Sequence, residues 1–379
     1  MKDLFLLDHN ITYLNHGSYG ACPTVVFENY QNWQRKLEEG PVLFMTKILW
    51  ENLKISRDVL GEFIGCDGGD LLLFPNPTTA VNNIIENLNL SEGDELLMTQ
   101  HEYGALVRAW SRSSMKNKFS VVQQHIDLPF NSKNDFIDQF LAGITKNTKV
   151  IFISQITSQT GLIFPVKEIC DYAHQKGIIT IVDGAHVPGH IDLDLVELGC
   201  DYYTGACHKW MCAPKGSSFL FVKKSLQAHL QPQIMSWGEE GEDPGPSQFL
   251  MDFQWQGTKD MSAFLSIPSA INFLEDNDWR EKRKISKNLI LEVSDNLKDI
   301  FETDSLFLHE DWIGQMVSHP LPSNITIDLK ERLWEDFMIE VPIFEWNKQK
   351  YIRVSAHFYN QANDMENLVN ALKLSLIHI

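Results

Sequence analysis

The sequence lacks the features of disulfide-rich, metal-binding and membrane-spanning proteins. Its 379 residues contain six cysteines, and no two of them have the C-x-x-C spacing of redox and zinc motifs. We therefore expect reduced, structural thiols and no bound metal. No stretch of about eighteen apolar residues occurs, and the apolar run near the N-terminus is too short for a signal peptide. The sequence predicts no membrane contact and a cytoplasmic location.

Positive charge is scarce as well. The 32 lysine and arginine residues are outnumbered by 50 aspartate and glutamate residues, which gives a net charge of -18 at pH 7. This balance gives no electrostatic support for binding a phosphate backbone, so nucleic acid is not an expected partner. Hydrophobic residues make up 44% of the chain and charged residues 22%, which is typical of a folded protein. At about 150 residues per domain, the length predicts two or three domains.

Between residues 70 and 222 the chain alternates short β-branched runs with amphipathic stretches. This alternation predicts an α/β fold in which helices connect parallel strands. The clearest strand candidates are residues 150–154, 178–183 and 217–222. A helix over 166–175, ended by Gly177, lies between the first two. Because ligands of parallel sheets bind at the carboxyl ends of the strands, we expect chemistry at 154–160 and 183–186.

The rest of the chain has a different pattern. Residues 238–247 combine glycine, proline and acids, which predicts an exposed loop near a domain boundary. Beyond it, residues 262–300 have a helical pattern, 351–355 form a strand candidate, and 364–376 predict a final helix. These elements predict a smaller α+β domain after the large one.

A lysine, an aspartate and two threonines are the candidates for chemistry. Lys209 carries the only formal charge in the stretch 202–214, and partly apolar surroundings lower the pKa of an amine so that it can act as a nucleophile. Asp183, 26 residues earlier, ends a predicted strand and can keep the pyridinium nitrogen of a pyridoxal cofactor protonated. Thr78 and Thr79 begin a predicted helix, whose free N–H groups attract phosphate. Each feature alone has an ordinary explanation, such as a solvated lysine or a helix cap, but their order and spacing together favour a cofactor site.

Three segments give the chain a resemblance to a known family. They are Asp-Gly-Ala-His at 183–186, His-Lys-Trp-Met-Cys-Ala-Pro-Lys-Gly at 208–216 and Tyr-Leu-Asn-His-Gly-Ser-Tyr-Gly-Ala-Cys-Pro at 13–23. With them the chain resembles the class V aminotransferase family of fold-type I pyridoxal-phosphate enzymes, and within it the isopenicillin N epimerase-like branch. The resemblance implies a large domain, 21–255, with a mostly parallel seven-stranded sheet flanked by helices. It also implies a smaller α+β domain built from 256–379 with the N-terminal arm, 1–20.

The resemblance assigns residues to the cofactor, pyridoxal 5'-phosphate. It implies that Lys209 forms the Schiff base, the internal aldimine, and that Asp183 pairs with the pyridine nitrogen. His186 and Ser158 correspond to contacts of the phenolic oxygen. The implied phosphate ligands are Thr78, Thr79 and His208, together with Thr258, which in family homodimers reaches the partner's cofactor phosphate.

The same resemblance implies which residues surround the substrate. Either His101 or Tyr103 lays its ring over the cofactor face opposite the lysine, and the sequence does not choose between them. Arg353 corresponds to the arginine that binds the substrate α-carboxylate through a two-pronged, charge-assisted bond. Asn15 and His16 are expected to line the same end of the pocket.

The chain departs from the family pattern in two places. Ala206 stands three residues before the lysine, where relatives often carry a serine or asparagine that contacts the phosphate. No cysteine follows Cys212, whereas cysteine desulfurases need one on a mobile loop shortly before the carboxylate-binding arginine, so persulfide chemistry is disfavoured. A zinc site is disfavoured too, because the spacing of its candidate ligands fits no common arrangement. Those candidates are Cys200, Cys207, His208 and Cys212.

The resemblance implies a reaction at the α-carbon of a small amino-acid-like substrate. With the substrate held as the external aldimine, Lys209 is positioned to remove the α-proton. Reprotonation from the opposite face, by His101 or Tyr103, inverts the centre, whereas loss of a β-substituent gives elimination. Transamination is the third outcome. The leading hypothesis is an enzyme of the isopenicillin N epimerase type; the alternatives are a carbon–sulfur β-lyase acting on cysteine or a cysteine sulfoxide, and a non-catalytic protein that keeps the fold.

Overall fold

The computed structural model describes residues 1–238 and 247–376. Of the loop predicted at 238–247, only the first and last residues are therefore described. Ser247 accepts a hydrogen bond from Leu250 N at 3.2 Å and so caps the next helix. Within the described ranges, no helix combines the length and the apolar character that crossing a membrane requires.

Helices and strands alternate through the first two thirds of the chain. The helices are α1 His16–Tyr19, α2 Thr24–Glu39, α3 Pro41–Leu43, α4 Leu49–Ile64, α5 Pro77–Asn87, α6 Gly104–Asn117, α7 Lys133–Leu141, α8 Val166–Lys176, α9 Leu195–Leu198, α10 Gln248–Gln254, α11 Ser262–Leu265, α12 Ile267–Asp276, α13 Trp279–Phe301, α14 Leu329–Phe337 and α15 Ala362–Leu376. The strands are β1 Thr12–Tyr13, β2 Leu71–Phe74, β3 Glu95–Thr99, β4 Ser120–Gln124, β5 Thr148–Ser154, β6 Ile179–Gly184, β7 Tyr202–Ala206, β8 Ser218–Val222, β9 Met316–Pro320, β10 Ile339–Glu340, β11 Ile343–Trp346 and β12 Gln349–Ser355.

Seven strands form the central sheet, in the order β2-β8-β7-β6-β5-β3-β4. In this order, the neighbouring strands β7, β6, β5, β3 and β4 run parallel to one another. Strand β8 runs antiparallel to both β2 and β7. Every residue of β7 and β8 is buried, as expected for strands whose two faces are both covered. The predicted α/β class and mostly parallel seven-stranded sheet are confirmed.

The predicted elements of the βαβ unit lie where the periodicity placed them. The strand candidates correspond to β5, β6 and β8, and the intervening helix is α8. Helix α8 buries Val166, Ile169, Cys170 and Ala173, and it ends at Gly177, whose φ of 66° is the left-handed conformation that favours glycine. Strand β8 begins at Ser218, because the carbonyl of Ser217 instead accepts hydrogen bonds from Cys207 N and His208 N.

A smaller sheet is built from the C-terminal part of the chain. Strands β11, β12 and β9 form an antiparallel sheet, helix α13 packs beside β9, and α15 packs against α13. The predicted strand 351–355 lies within β12, and the predicted last helix is α15. Strand β1 pairs in parallel with β10, which ties the N-terminal arm to the C-terminal part of the chain. The predicted boundaries of the two domains stay a prediction.

Candidate active site

A cavity of about 320 Å³ lies at the carboxyl ends of β5 and β6. The pairing of Ser154 with Asp183 brings these two strand ends together, as expected for a parallel sheet. The N-terminus of α5, helix α1, the turn after β7 and the side of β12 also contribute to its wall. Predicted site residues among those that line it are Thr78, Tyr103, Ser158, Asp183, His186, His208, Lys209 and Arg353.

Lys209 lies in the turn between β7 and β8. Its Nζ is 3.0 Å from His186 Nε2. Removal of the amine from bulk water lowers its pKa to about 8, although the nearby Asp183 carboxylate acts in the opposite direction and the Arg353 guanidinium in the same one. About a tenth of the amine is therefore neutral at pH 7. The neutral amine is the form that attacks carbonyl groups.

Asp183 stands at the end of β6 with its carboxylate buried. Ala185 N donates a hydrogen bond to Oδ1 at 2.9 Å. Burial raises the pKa of this carboxyl, while the hydrogen bond from Ala185 and the charge of Lys209 lower it. A buried carboxylate in a cavity wall is stabilised by a cationic partner within that cavity.

The N-terminus of α5 forms another wall. Pro77 occupies the first helical turn, and the side chain of Asn76 accepts hydrogen bonds from the N–H of Thr79 at 2.9 Å and from its hydroxyl at 3.0 Å. The Thr79 hydroxyl is thus engaged in the cap, and among the two threonines it is Thr78 that lines the cavity. Helix N-termini attract anions because their N–H groups and the helix dipole point outward. His208, whose Nδ1 donates to Ser217 O at 2.8 Å, lines the same cavity.

Arg353 projects from β12 into the cavity wall. Its Nη1 donates to Ser158 O at 2.8 Å and its Nη2 to Ser18 Oγ at 2.7 Å. Burial lowers the pKa of the guanidinium to about 10, so the group stays charged at neutral pH. Two neutral acceptors fix its orientation without neutralising the charge, which leaves a cationic site for a carboxylate.

His101 and Tyr103 take different positions. His101 is fully buried and packs against Phe164 and Trp346, with ring centroids at 5.5 and 4.8 Å. Tyr103 lines the cavity and is 45% exposed. Of the two residues that the sequence left open, the structure therefore brings Tyr103 to the cavity.

The remaining predicted residues lie outside the cavity wall. His16 is buried beneath it, with Nδ1 2.7 Å from the Tyr359 hydroxyl and Nε2 3.1 Å from Lys209 O, and so it supports the lysine turn from behind. Asn15 donates to Glu340 at 3.2 Å, while its neighbours Gly17, Ser18 and Tyr19 line the cavity. Thr258 lines a separate surface groove.

The disfavoured zinc site does not assemble. The thiols of Cys200, Cys207 and Cys212 are buried, which raises the pKa of each. Among the described residues, the side chains gathered closely enough to share a metal ion are His16, Cys212 and His357. Because both ring nitrogens of His16 already have partners, this group is explained by packing.

Sequence reasoning missed several residues at the site. Glu102 is buried and accepts hydrogen bonds from Thr99 Oγ1 at 2.7 Å and from Ser154 Oγ at 2.5 Å. Burial raises the pKa of this carboxyl to about 7. Ser18 and Asn76 hold Arg353 and the α5 terminus in place. Glu102 directly precedes Tyr103, but only the fold shows that it reaches the strand end at Ser154.

Comparison with known proteins shows similarity along almost the whole chain. The family model described as Aminotransferase class-V matches residues 28–368. The chain belongs to the class V aminotransferase family. Members of this family are enzymes that depend on pyridoxal phosphate, so this class V enzyme has pyridoxal phosphate as its cofactor.

Individual relatives of this class V enzyme have different activities. The isopenicillin N epimerase of Amycolatopsis lactamdurans is 32% identical to it, over 97% of this chain and 96% of that protein. The L-cysteine desulfhydrase of Arabidopsis thaliana is 27% identical, over 95% and 86%. The apo structure of the cysteine desulfurase from Thermococcus onnurineus NA1 has a TM-score of 0.85 and 18% identity, and the match covers 100% of this chain and 98% of that chain. The last comparison shows the shared fold.

The chemical groups in the cavity of this class V enzyme fit pyridoxal phosphate. The cavity holds an amine with a lowered pKa, which suits an aldehyde, and a buried carboxylate, which a pyridinium nitrogen would neutralise. A helix N-terminus with Thr78 and His208 beside it suits a phosphate. The cofactor's three functional groups thus have complementary partners around one cavity.

Proposed function

We propose that this enzyme holds pyridoxal phosphate through Lys209 and acts at the α-carbon of an amino-acid substrate. The observation that carries the proposal is that Lys209, Asp183 and Arg353 line a single cavity, although they lie on three different elements. A protein that kept the fold without activity would have no need to retain this combination. Pyridoxal phosphate supplies an aldehyde that binds amines and a ring that accepts electrons from the α-carbon.

The residues of the chain divide into a cofactor side and a substrate side. Asp183 would bind the pyridine nitrogen of the cofactor, and Tyr103 would cover its ring. His186 and Ser158 would contact the phenolic oxygen. The N-terminus of α5 with Thr78 and Thr79, together with His208, would bind the phosphate, with Thr79 contributing through its part in the cap. Lys209 supplies both the amine that holds the cofactor and the base that accepts the α-proton.

Arg353 would bind the substrate α-carboxylate, and this role predicts a clear kinetic effect. An Arg353→Lys variant keeps the charge but loses the planar fork, so we expect KM to rise about 10- to 100-fold with a smaller change in kcat. Steady-state kinetics on the wild type and the variant measure this effect. Arg57→Lys is the matched control, because Arg57 is also a buried arginine but binds Gln254 and is not part of the cavity wall. Equal KM values for the wild type and Arg353→Lys would contradict the assignment.

Thr258 would contribute to the site of a second subunit in a homodimer. It lines a groove of about 570 Å³ with Trp237, which is 83% exposed, and Val42, which is 77% exposed. Large exposed apolar side chains that cluster in this way are typical of interfaces between proteins. A mass measurement in solution by light scattering tests the dimer, and a monomer at micromolar concentration would argue against it.

The fate of the α-carbon after proton removal decides the type of reaction. For epimerisation, Tyr103 is our candidate for the second acid, and its position in the cavity wall with a partly exposed side chain supports that choice. A β-lyase reaction is the second candidate, because a relative is an L-cysteine desulfhydrase. The absence of cysteine after Cys212 favours release of the sulfur product over its transfer to a protein thiol.

Incubation of the holoenzyme with amino acids in deuterated water distinguishes these reactions. Deuterium at the α-carbon with recovery of both enantiomers supports epimerisation, and Tyr103→Phe should then retain exchange but lose inversion. Release of pyruvate and sulfide from cysteine supports the lyase. If no amino acid exchanged its α-proton and none changed the spectrum of the cofactor, the proposed reaction at the α-carbon would be wrong.

A further inference from the structure

Trp210 directly follows Lys209, the proposed cofactor lysine. It contacts His186, the histidine whose ring lies next to the lysine amine. Its side chain is completely buried. Its indole Nε1 donates a hydrogen bond to His186 Nδ1 at 3.3 Å. An indole N–H is only a donor, so Nδ1 of His186 must be the acceptor and carries no proton.

This hydrogen bond decides which nitrogen of His186 carries the proton. Burial holds the pKa of His186 far below its ordinary value, so the ring is neutral and its proton is on Nε2. Nε2 lies 3.0 Å from Lys209 Nζ. An Nε2–H group at that distance needs a lone pair to donate to, which the free amine has and the ammonium ion lacks.

The other tautomer of His186 would suit a charged lysine. With the proton on Nδ1, Nε2 would accept a hydrogen bond from the ammonium group of Lys209. The Nδ1–H group would then face the indole N–H of Trp210, so two donors would meet in a buried site without an acceptor, which is costly. Trp210 thus penalises the arrangement in which Lys209 is protonated.

The surroundings hold Trp210 in this position. The His190 ring lies 4.0 Å from the Trp210 ring by centroids, and the His16 ring lies 4.9 Å away. His190 Nδ1 donates to His186 O at 2.9 Å, and its Nε2 accepts from Gln315 N at 2.6 Å, so the tautomer of His190 is fixed as well.

Other charged and titratable groups also act on the pair of His186 and Lys209. The rings of His16, His190 and His357, which lie near Trp210, are buried, and burial lowers their pKa values and keeps them neutral. The formal charges facing the pair are the Asp183 carboxylate, which favours the ammonium form of the lysine, and the Arg353 guanidinium, which opposes it.

We propose that Trp210 is a positioning residue that, by donating to His186 Nδ1, presents His186 Nε2–H to Lys209 and so favours the unprotonated form of the lysine amine, which is the form that captures the cofactor. The role rests on the proposed function of Lys209 as the amine that holds pyridoxal phosphate. The same His186 Nε2–H group would donate a hydrogen bond to the phenolic oxygen of the cofactor. The indole therefore acts on the reaction through the histidine, without touching the cofactor or the substrate.

A Trp210→Phe variant removes the donor and keeps an aromatic ring. In the full-length apoenzyme, the pKa of Lys209 is measured by competitive labelling with acetic anhydride across a pH series, followed by peptide mass analysis. We expect the variant to raise this pKa by about one, since one net hydrogen bond is lost. The rate at which the apoenzyme captures pyridoxal phosphate should fall about tenfold near pH 7 and match the wild type well above the higher pKa. An unchanged pKa of Lys209, or an equal loss of rate at every pH, would overturn the proposal.

Two further variants separate the hydrogen bond from general packing. Trp110 is also completely buried, and its indole nitrogen has no hydrogen-bond partner among the described residues, so Trp110→Phe should leave the lysine pKa unchanged. In a His186→Gln background, Trp210→Phe should cause no further shift, because the tryptophan acts only through the histidine. A full additional shift in that background would contradict the hydrogen-bond chain.

A measurement on the unmodified sequence removes any dependence on the folding of a variant. Nitrogen NMR of the apoenzyme labelled with [15N]histidine reports the tautomer of each ring, and the spectrum of His186→Gln identifies the His186 signals. The Nε2–H tautomer supports the proposal, and the Nδ1–H tautomer overturns it. Neither the NMR nor the labelling measurement depends on where the cofactor attaches. Attachment at another amine would therefore refute the proposed function but leave the test of the Trp210 hydrogen bond unaffected.

Discussion

Replacing Lys209 with alanine should abolish covalent attachment of pyridoxal phosphate and lower turnover by at least about 10²- to 10⁴-fold. The amine is the only one in the cavity wall, among the residues that the structure describes, and it is the proposed base for the α-proton. The fold should survive, because the polar contact of the side-chain amine within the described residues is one hydrogen bond with His186 Nε2, at 3.0 Å. Absorbance of the purified protein and single-turnover kinetics measure the loss.

Lys215 provides the matched control for this substitution. It lies in the same connection between β7 and β8, and its Nζ donates to Gly20 O at 3.1 Å, away from the cavity. A Lys215→Met variant should therefore keep the colour of the holoenzyme and retain activity. If Lys209→Ala remained yellow after dialysis and Lys215→Met became colourless, the cofactor lysine would have been assigned wrongly.

An Asp183→Asn variant should retain the cofactor but lower kcat by about 10²- to 10³-fold. The amide fills the same space and keeps an acceptor for Ala185 N, but it cannot stabilise a positive charge on the pyridine nitrogen. Burial raises the pKa of Asp183, which means that the charged form is disfavoured in the folded apoenzyme. The apo variant should therefore unfold at a temperature no lower than that of the wild type, while its holoenzyme loses rate.

Glu102 offers a second carboxyl for comparison. It is buried close to the same strand end, and the rise of its pKa to about 7 means that its neutral form is already populated at neutral pH. Changing Glu102 to glutamine should therefore alter kcat far less than the change at Asp183. The Asp183→Asn and Glu102→Gln variants are compared in two measurements. Stopped-flow kinetics give the rate of α-proton removal by each holoenzyme, and thermal unfolding gives the stability of each apo variant. Equal losses for the two variants would mean that the charge at Asp183 has no special role.

The parts of the site that the sequence predicted depend on local pattern. Asp183 and Lys209 are predictable candidates because a strand end and a turn with a single formal charge are both visible in a short stretch of sequence. The strands β5 and β6 were likewise predictable from β-branched runs, and α8 from its helical period with a glycine at the end. These features are fixed by neighbouring residues, so a single sequence contains them.

The parts that it missed depend on contacts between distant segments. His101 is buried because Trp346, from the small sheet, packs on it, and that contact leaves Tyr103 to face the cavity. His16 belongs to the N-terminal motif at 13–23, yet its bonds to Tyr359 and to the lysine turn place it behind the site. The hydrogen bond from Trp210 to His186 joins two predicted motifs, but only the folded backbone brings the two nitrogens together.

The covalent link between the cofactor and Lys209 can be tested directly by borohydride reduction of the holoenzyme, proteolysis and mass mapping of the peptides. Reduction would convert the imine to a stable amine, so the site of attachment survives digestion. We predict a single pyridoxyl-phosphate group on the peptide that contains Lys209. A label on Lys215 or on any other amine, or a protein that retains no cofactor before reduction, would contradict the proposed active site.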